Sequence, residues 1–140
     1  MEFDIVEISP KAAAKYIAES KEYRNMMIDG SPEPEQFTLP DIPCYGAFSK
    51  GEMIAVYAMV PHKQGYRVHF QITEDFRQQA TEIAEQFIGI HPATLYARVP
   101  TQLRTYINFC KKLGFREYAI ARNAYTVGGE KRSWQKLVRF

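Results

Sequence analysis

Residues 71–88, QITEDFRQQATEIAEQFI, run from the end of a strand into a helix. Such junctions commonly hold phosphate, because the free N–H groups of the first helical turn and the positive end of the helix dipole both favour an anion. Glycine lets a phosphate approach that backbone, yet none stands between Gly65 and Gly89. Arg77 suits a phosphate, whereas Glu82 opposes one. Just upstream, strand alternation puts His69 and Gln71 on one side and Phe70 and Ile72 on the other. A histidine near a junction is a proton-transfer candidate at neutral pH; more often it is a packed or surface residue. His62 and His91 fall in loops. Cys44 and Cys110 fit no metal-ligand or redox spacing. They read as two reduced, buried thiols, with a disulfide as the alternative.

The whole chain sets the bounds for this chemistry. Its 140 residues, 46% hydrophobic and 14% aromatic, suffice for one core and are read as one domain, 1–140. No apolar run approaches the ~18 residues that span a bilayer, and MEFDIVEISP has no apolar signal core. A cytoplasmic protein without a membrane partner is expected. The net charge of +2 hides an asymmetry: residues 1–93 carry 8 Lys/Arg against 14 Asp/Glu, and residues 94–140 carry 10 against 2. The basic C-terminal third suits an anion, whether a nucleotide-like cofactor, nucleic acid or an acidic protein face, or else is a solvated surface. With no RGG run, zinc-finger spacing or heptad repeat, nucleic acid is the less favoured partner.

The elements that must position these residues follow from periodicity. FDIVEI at 3–8 alternates as a strand, and Ser9-Pro10 starts a helix through KAAAKYIAESKEY. Residues 29–43 hold four prolines and the acids Asp29, Glu33, Glu35 and Asp41, and read as a surface loop. CYGAFS, MIAVYAMV and YRVHFQI form a three-strand meander with turns at 50–52 and 62–65. Phe76, Ala80, Ile83, Ala84 and Phe87 make one face of a helix, capped by Thr73 and ended by Gly89. LYARV at 95–99 is a strand. The next helix opens at Pro100-Thr101, with Thr101 as its cap, and closes at Gly114. Two last strands, 115–121 and 134–140, flank a Gly128-Gly129 turn. The expected fold is therefore α/β (α+β), with a mixed sheet of about seven strands flanked by helices. The strands at 66–72 and 95–99 should run parallel through a right-handed crossover.

This order, together with NFCKKLGFREY at 108–118, resembles the GNAT N-acetyltransferase superfamily, whose last helix closes on Leu-Gly-Phe before the final strands. Leu113-Gly114-Phe115 matches in place and context. The resemblance implies a GNAT-like, mostly antiparallel sheet with acetyl-CoA lying where the two parallel strands splay apart. The backbone at Gln71 and Ile72 would face the pantetheine arm. The family's phosphate loop would fall on Arg77, Gln78, Gln79, Ala80, Thr81 and Glu82, with Ala80 and Glu82 departing from it. Arg104, Lys111 and Lys112 would meet CoA phosphates. His69 or Glu74 would take the proton of an attacking amine. The family's tyrosine acid falls on Cys110, one turn from Tyr106.

Two functions follow from the resemblance. One is an acyl-CoA-dependent N-acyltransferase with an eroded pyrophosphate loop, acting on an amine-bearing small molecule or protein. The acids of the 29–43 loop would favour a cationic acceptor. The alternative is a non-catalytic GNAT-fold protein of the divergent bacteriophage-encoded group, binding a phage structural partner during virion or head assembly. Its place would be the host cytoplasm or the virion.

Overall fold

The computed structural model describes residues 2–140. One sheet is built from β1 (Asp4–Glu7), β2 (Cys44–Ser49), β3 (Glu52–His62), β4 (Gly65–Ile72), β5 (Leu95–Pro100), β6 (Arg116–Val127) and β7 (Glu130–Arg139). The order across it is β1-β2-β3-β4-β5-β7-β6. Among the described residues only β4 and β5 pair in parallel; the other neighbours are antiparallel. Among the described residues the α-helices are α1 (Pro10–Ala18), α2 (Lys21–Asn25), α3 (Ala80–Ile88) and α4 (Arg104–Lys112), with 3₁₀ turns at Pro34–Gln36 and Glu74–Gln79. This is the mixed, mostly antiparallel seven-strand architecture expected. No helix of the described residues is long and apolar enough to cross a membrane.

The sheet has two differently covered faces. On one, Val68 and Phe70 of β4 and Leu95, Ala97 and Val99 of β5 pack with Ile83 and Phe87 of α3 and Ile107 of α4. On the other, Ala13 and Ile17 of α1 pack over Cys44, Val56 and Ala58 of β2 and β3. Alternation along β4 sends Arg67, His69 and Gln71 toward this second face.

Local chemistry moved several boundaries. KAAAKYIAESKEY makes two helices, not one. The Ser20 hydroxyl donates to the Ile17 carbonyl at 2.6 Å and accepts from the Tyr23 N–H at 3.2 Å, ending α1 and capping α2. Thr73 caps nothing through its side chain. Its hydroxyl bonds the Tyr16 phenol at 2.6 Å, and that phenol also donates to the Ile54 carbonyl at 2.8 Å. The segment after Thr73 is therefore a 3₁₀ turn over Glu74–Gln79, and α3 starts only at Ala80, which is half-buried. Thr101 is not a cap either. Its N–H donates to the Ser133 carbonyl at 3.1 Å, which holds it against β7, and α4 begins at Arg104. Two irregularities, at Glu117/Ala119 and Ala121/Tyr125, let β6 extend to Val127, well past the expected end.

Candidate active site

β4 and β5 pair only at Tyr66↔Leu95 and Arg67↔Tyr96. Beyond Arg67, β4 stays on β3 as far as Ile72, and β5 stays on β7 as far as Pro100. The two strands diverge, leaving their facing edges without a strand partner, and such edges seek a peptide-like guest. The base of the V is pinched at Gly65, where a Cβ would stand 1.8 Å from the Thr94 carbonyl oxygen.

On the floor of the V, His69 Nε2 and Gln71 Oε1 lie 3.2 Å apart. Gln71 is 6% exposed, and among the described residues its Nε2 has no hydrogen-bond partner. An orphaned buried donor of this kind costs about 1–3 kcal/mol, so the site has an unmet polar demand. His69 keeps solvent-accessible surface although protein surrounds it closely, as expected for a cleft floor. Desolvation there pulls the imidazole pKa below its ordinary value, outweighing the Gln71 bond, which raises it. The ring is neutral near pH 7. With Nε2–H donating to Gln71, Nδ1 carries the free lone pair.

The other expected site residues divide into two groups. At the junction, Arg77 is ion-paired with Glu22 of α2, and Glu74 lies 3.9 Å from Lys21 of the same helix. Gln78 is exposed and Gln79 half-buried. Tyr16, Lys21 and Glu22 escaped sequence reasoning, since partners more than fifty residues apart leave no local signal. Beside Ile72 and Thr73 they line a cavity of about 310 Å³. On α4, Tyr106 is 40% exposed. Cys110 is half-buried against the core, and desolvation pushes its thiol up to about 11. Cys44 is a free, buried thiol as well. Arg104 and Lys111 both point to Glu117 of β6, at 3.2 and 3.7 Å.

Two further arrangements join distant parts of the chain. Tyr57 of β3 stacks on Phe87 of α3 at 5.2 Å, Phe87 meets Phe70 of β4 at 6.0 Å, and Phe70 stacks on Phe109 of α4 at 5.9 Å. This ladder spans the gap between β4 and α4. The 29–43 loop is tied down at Asp29, whose carboxylate accepts from the Gly128 and Gly129 N–H groups at 2.9 Å each. Those bonds hold its pKa below the ordinary value. Asp29 thus fastens the β6–β7 turn, while Glu33, Glu35 and Asp41 stay exposed.

No protein-family model matches the chain, and no curated protein matches it in sequence. Solved structures do match in shape. A Staphylococcus aureus N-acetyltransferase aligns with a TM-score of 0.75 at 13% identity, covering 99% of this chain and 97% of its own. The Escherichia coli ribosomal-protein-S18-alanine N-acetyltransferase aligns at 0.69 and 17%, covering 99% and 93%. A chimera of the Vibrio cholerae spermidine N-acetyltransferase aligns at 0.76 and 8%, covering 100% and 96%. At these identities the likeness establishes the GNAT fold; function must be read from the site.

Proposed function

We propose that the protein is an N-acyltransferase that moves an acyl group, acetyl in the simplest case, from acyl-CoA to an amine. The observation that carries this reading is the unpaired β4–β5 splay with the His69–Gln71 pair on its floor. The fit to acyl-CoA is uneven. The open strand edges suit the amide-bearing pantetheine arm, which would run past Gln71 and Ile72. The pyrophosphate end is poorly served, because Arg77 is held by Glu22, and Gln78 and Gln79 close a 3₁₀ turn that leads straight into α3 at Ala80, with no glycine loop. Arg104 and Lys111 remain as cations within reach of phosphates once Glu117 releases them.

Acyl-CoA would supply a thioester-activated acyl carbon. His69 Nδ1 would take the proton from the amine as its nitrogen bonds that carbon and the carbon–sulfur bond breaks. Tyr106, the exposed phenol of α4, would return a proton to the departing sulfur. Cys110, a thiol at neutral pH and packed on the core, serves structure in this scheme, and Glu74 serves the junction. Transfer is direct, with no covalent intermediate. The acceptor class is an amine on a small molecule or protein, and Glu33, Glu35 and Asp41 favour a cationic one.

Titration calorimetry with acetyl-CoA tests this. Binding with thermal stabilisation is expected, about 2.7 kcal/mol at a hundred times Kd. No heat and no shift at millimolar acetyl-CoA would sink it. That outcome favours a second reading, supported by the closed Arg77–Glu22 pair and the Phe70–Phe109 stack across the gap. In it the chain is a non-catalytic GNAT-fold protein of the phage-encoded group, holding a structural partner in the host cytoplasm or virion.

A further inference from the structure

Cations of β4, β5 and β7 and of the turn before β4 gather in one place. Arg104, Lys111 and Arg132 are paired with Glu117 and Glu130. Among the described residues, Lys63, Arg67, Arg98 and Lys136 have no carboxylate within ion-pair distance. These four gather on the second sheet face, beyond the part that α1 covers. Arg98 of β5 stands directly opposite Lys136 of β7 in the ladder, and Arg67 of β4 opposite Tyr96 of β5. Like charges directly opposed on a sheet are destabilising. A fold retains such an arrangement more readily when a bound anion relieves it. His62, at the edge of the cluster, has its pKa lowered by desolvation and by all four cations.

Aromatic rings alternate with these charges. Lys63 Nζ lies 5.5 Å from the Tyr96 ring and 5.4 Å from the Tyr118 ring, with Lys136 Nζ 5.7 Å from the latter. The Arg98 guanidinium lies 4.7 Å over Trp134. Tyr118 is 41% exposed, and Arg98 is exposed. An open sheet bearing the exposed Tyr118 ring, the half-buried Tyr96 and Trp134 rings and unpaired cations offers phosphates a charge partner and bases a stacking platform. An acidic polypeptide would use the cations but gain little from the rings.

We infer that this face of β4, β5, β7 and β6 binds single-stranded nucleic acid, with Lys63, Arg67, Arg98 and Lys136 on phosphates and Tyr118 and the Arg98–Trp134 pair under bases. The shared chemistry admits RNA or DNA. The test uses the intact protein without acetyl-CoA, so it stands or falls apart from the acyltransferase reading. Fluorescence anisotropy with short labelled oligo-dT and oligo-U should give binding whose log–log salt slope is about −2.8, from about −0.7 per neutralised phosphate over four contacts. The double substitution Arg98→Gln, Lys136→Gln should reduce that slope in magnitude by about 1.4. By relieving the opposed charges it should melt no lower than the parent. Tyr118→Leu should weaken binding about 5- to 150-fold with the slope retained. Lys11→Gln, on α1, should change nothing. Tighter oligo-U than oligo-dT assigns RNA, and the reverse assigns DNA. No binding to either, a slope indifferent to the double substitution, or equal binding to oligoglutamate overturns the inference.

Discussion

The pinch at Gly65 decides whether the β4–β5 splay has a rigid origin, and Gly65→Ala probes it. The alanine Cβ would stand 1.8 Å from the Thr94 carbonyl oxygen and 2.8 Å from its carbon. Ordinary contact begins near 3.4 Å, so the strands must part by about 1.6 Å. The obstacle is backbone, which cannot swing aside as a side-chain tip can. Parting also stretches the 3.0 Å bond from the Tyr66 N–H to the same carbonyl, worth about 1 kcal/mol net. Overpacking of this kind costs about 1–3 kcal/mol, and the backbone clash puts the total near the upper figure. For 140 residues, an unfolding entropy of about 2.1 cal/mol/K per residue converts ~3 kcal/mol to a fall in Tm of roughly 10 °C. Thermal unfolding followed by circular dichroism measures it, with urea midpoints as a cross-check at unchanged m. Gly46→Ala is the comparison. Its Cβ would meet the Met53 sulfur at 2.7 Å and a Phe48 ring carbon at 3.1 Å, and these can move, so less than about 1.5 kcal/mol is expected. A Gly65→Ala protein melting within about 2 °C of the parent would refute a rigid pinch.

Three further outcomes are expected. Because the His69 pKa is lowered in the fold, the unfolded chain binds its proton first; stability from the neutral ring is present above pH 6.5 and is lost as pH falls through 6.5 toward the folded value. His69→Gln should flatten that part of a pH–stability curve, and in the parent any acyl transfer should keep its rate to below pH 6.5. Glu22→Gln should release Arg77, tightening acetyl-CoA in calorimetry while costing under about 1 kcal/mol, since the pair is half exposed; unchanged affinity would show that Arg77 takes no part in binding CoA. Phe87→Ala removes a fully buried ring that touches both Tyr57 and Phe70, and a loss of about 3–5 kcal/mol in urea unfolding is expected; a loss under 1 kcal/mol would mean that the ladder contributes little.

The sequence by itself determined the order of the seven strands along the chain and the parallel β4–β5 pair. These rest on signals between near neighbours: alternation in YRVHFQI, the Ile83, Ala84, Phe87 stripe, and Gly114 with its φ of +94° after the last helix. The same local rules put His69 and Gln71 on one side of a strand. They misplaced the helix starts at Thr73 and Thr101, because each was judged as a cap from its own neighbours. In the fold Thr73 is claimed by Tyr16 and Thr101 by Ser133, residues whose partnership no spacing announces. Tertiary structure also decided the fate of the charges. Arg77 fits a phosphate pattern in the sequence, but Glu22, 55 residues away, already holds it. The basic tail looked like a diffuse excess until strand register set Arg98 against Lys136 and brought Lys63 and Arg67 to the same face. Secondary structure is written mostly in contacts three or four residues apart, whereas a site depends on which distant side chains the sheet makes neighbours.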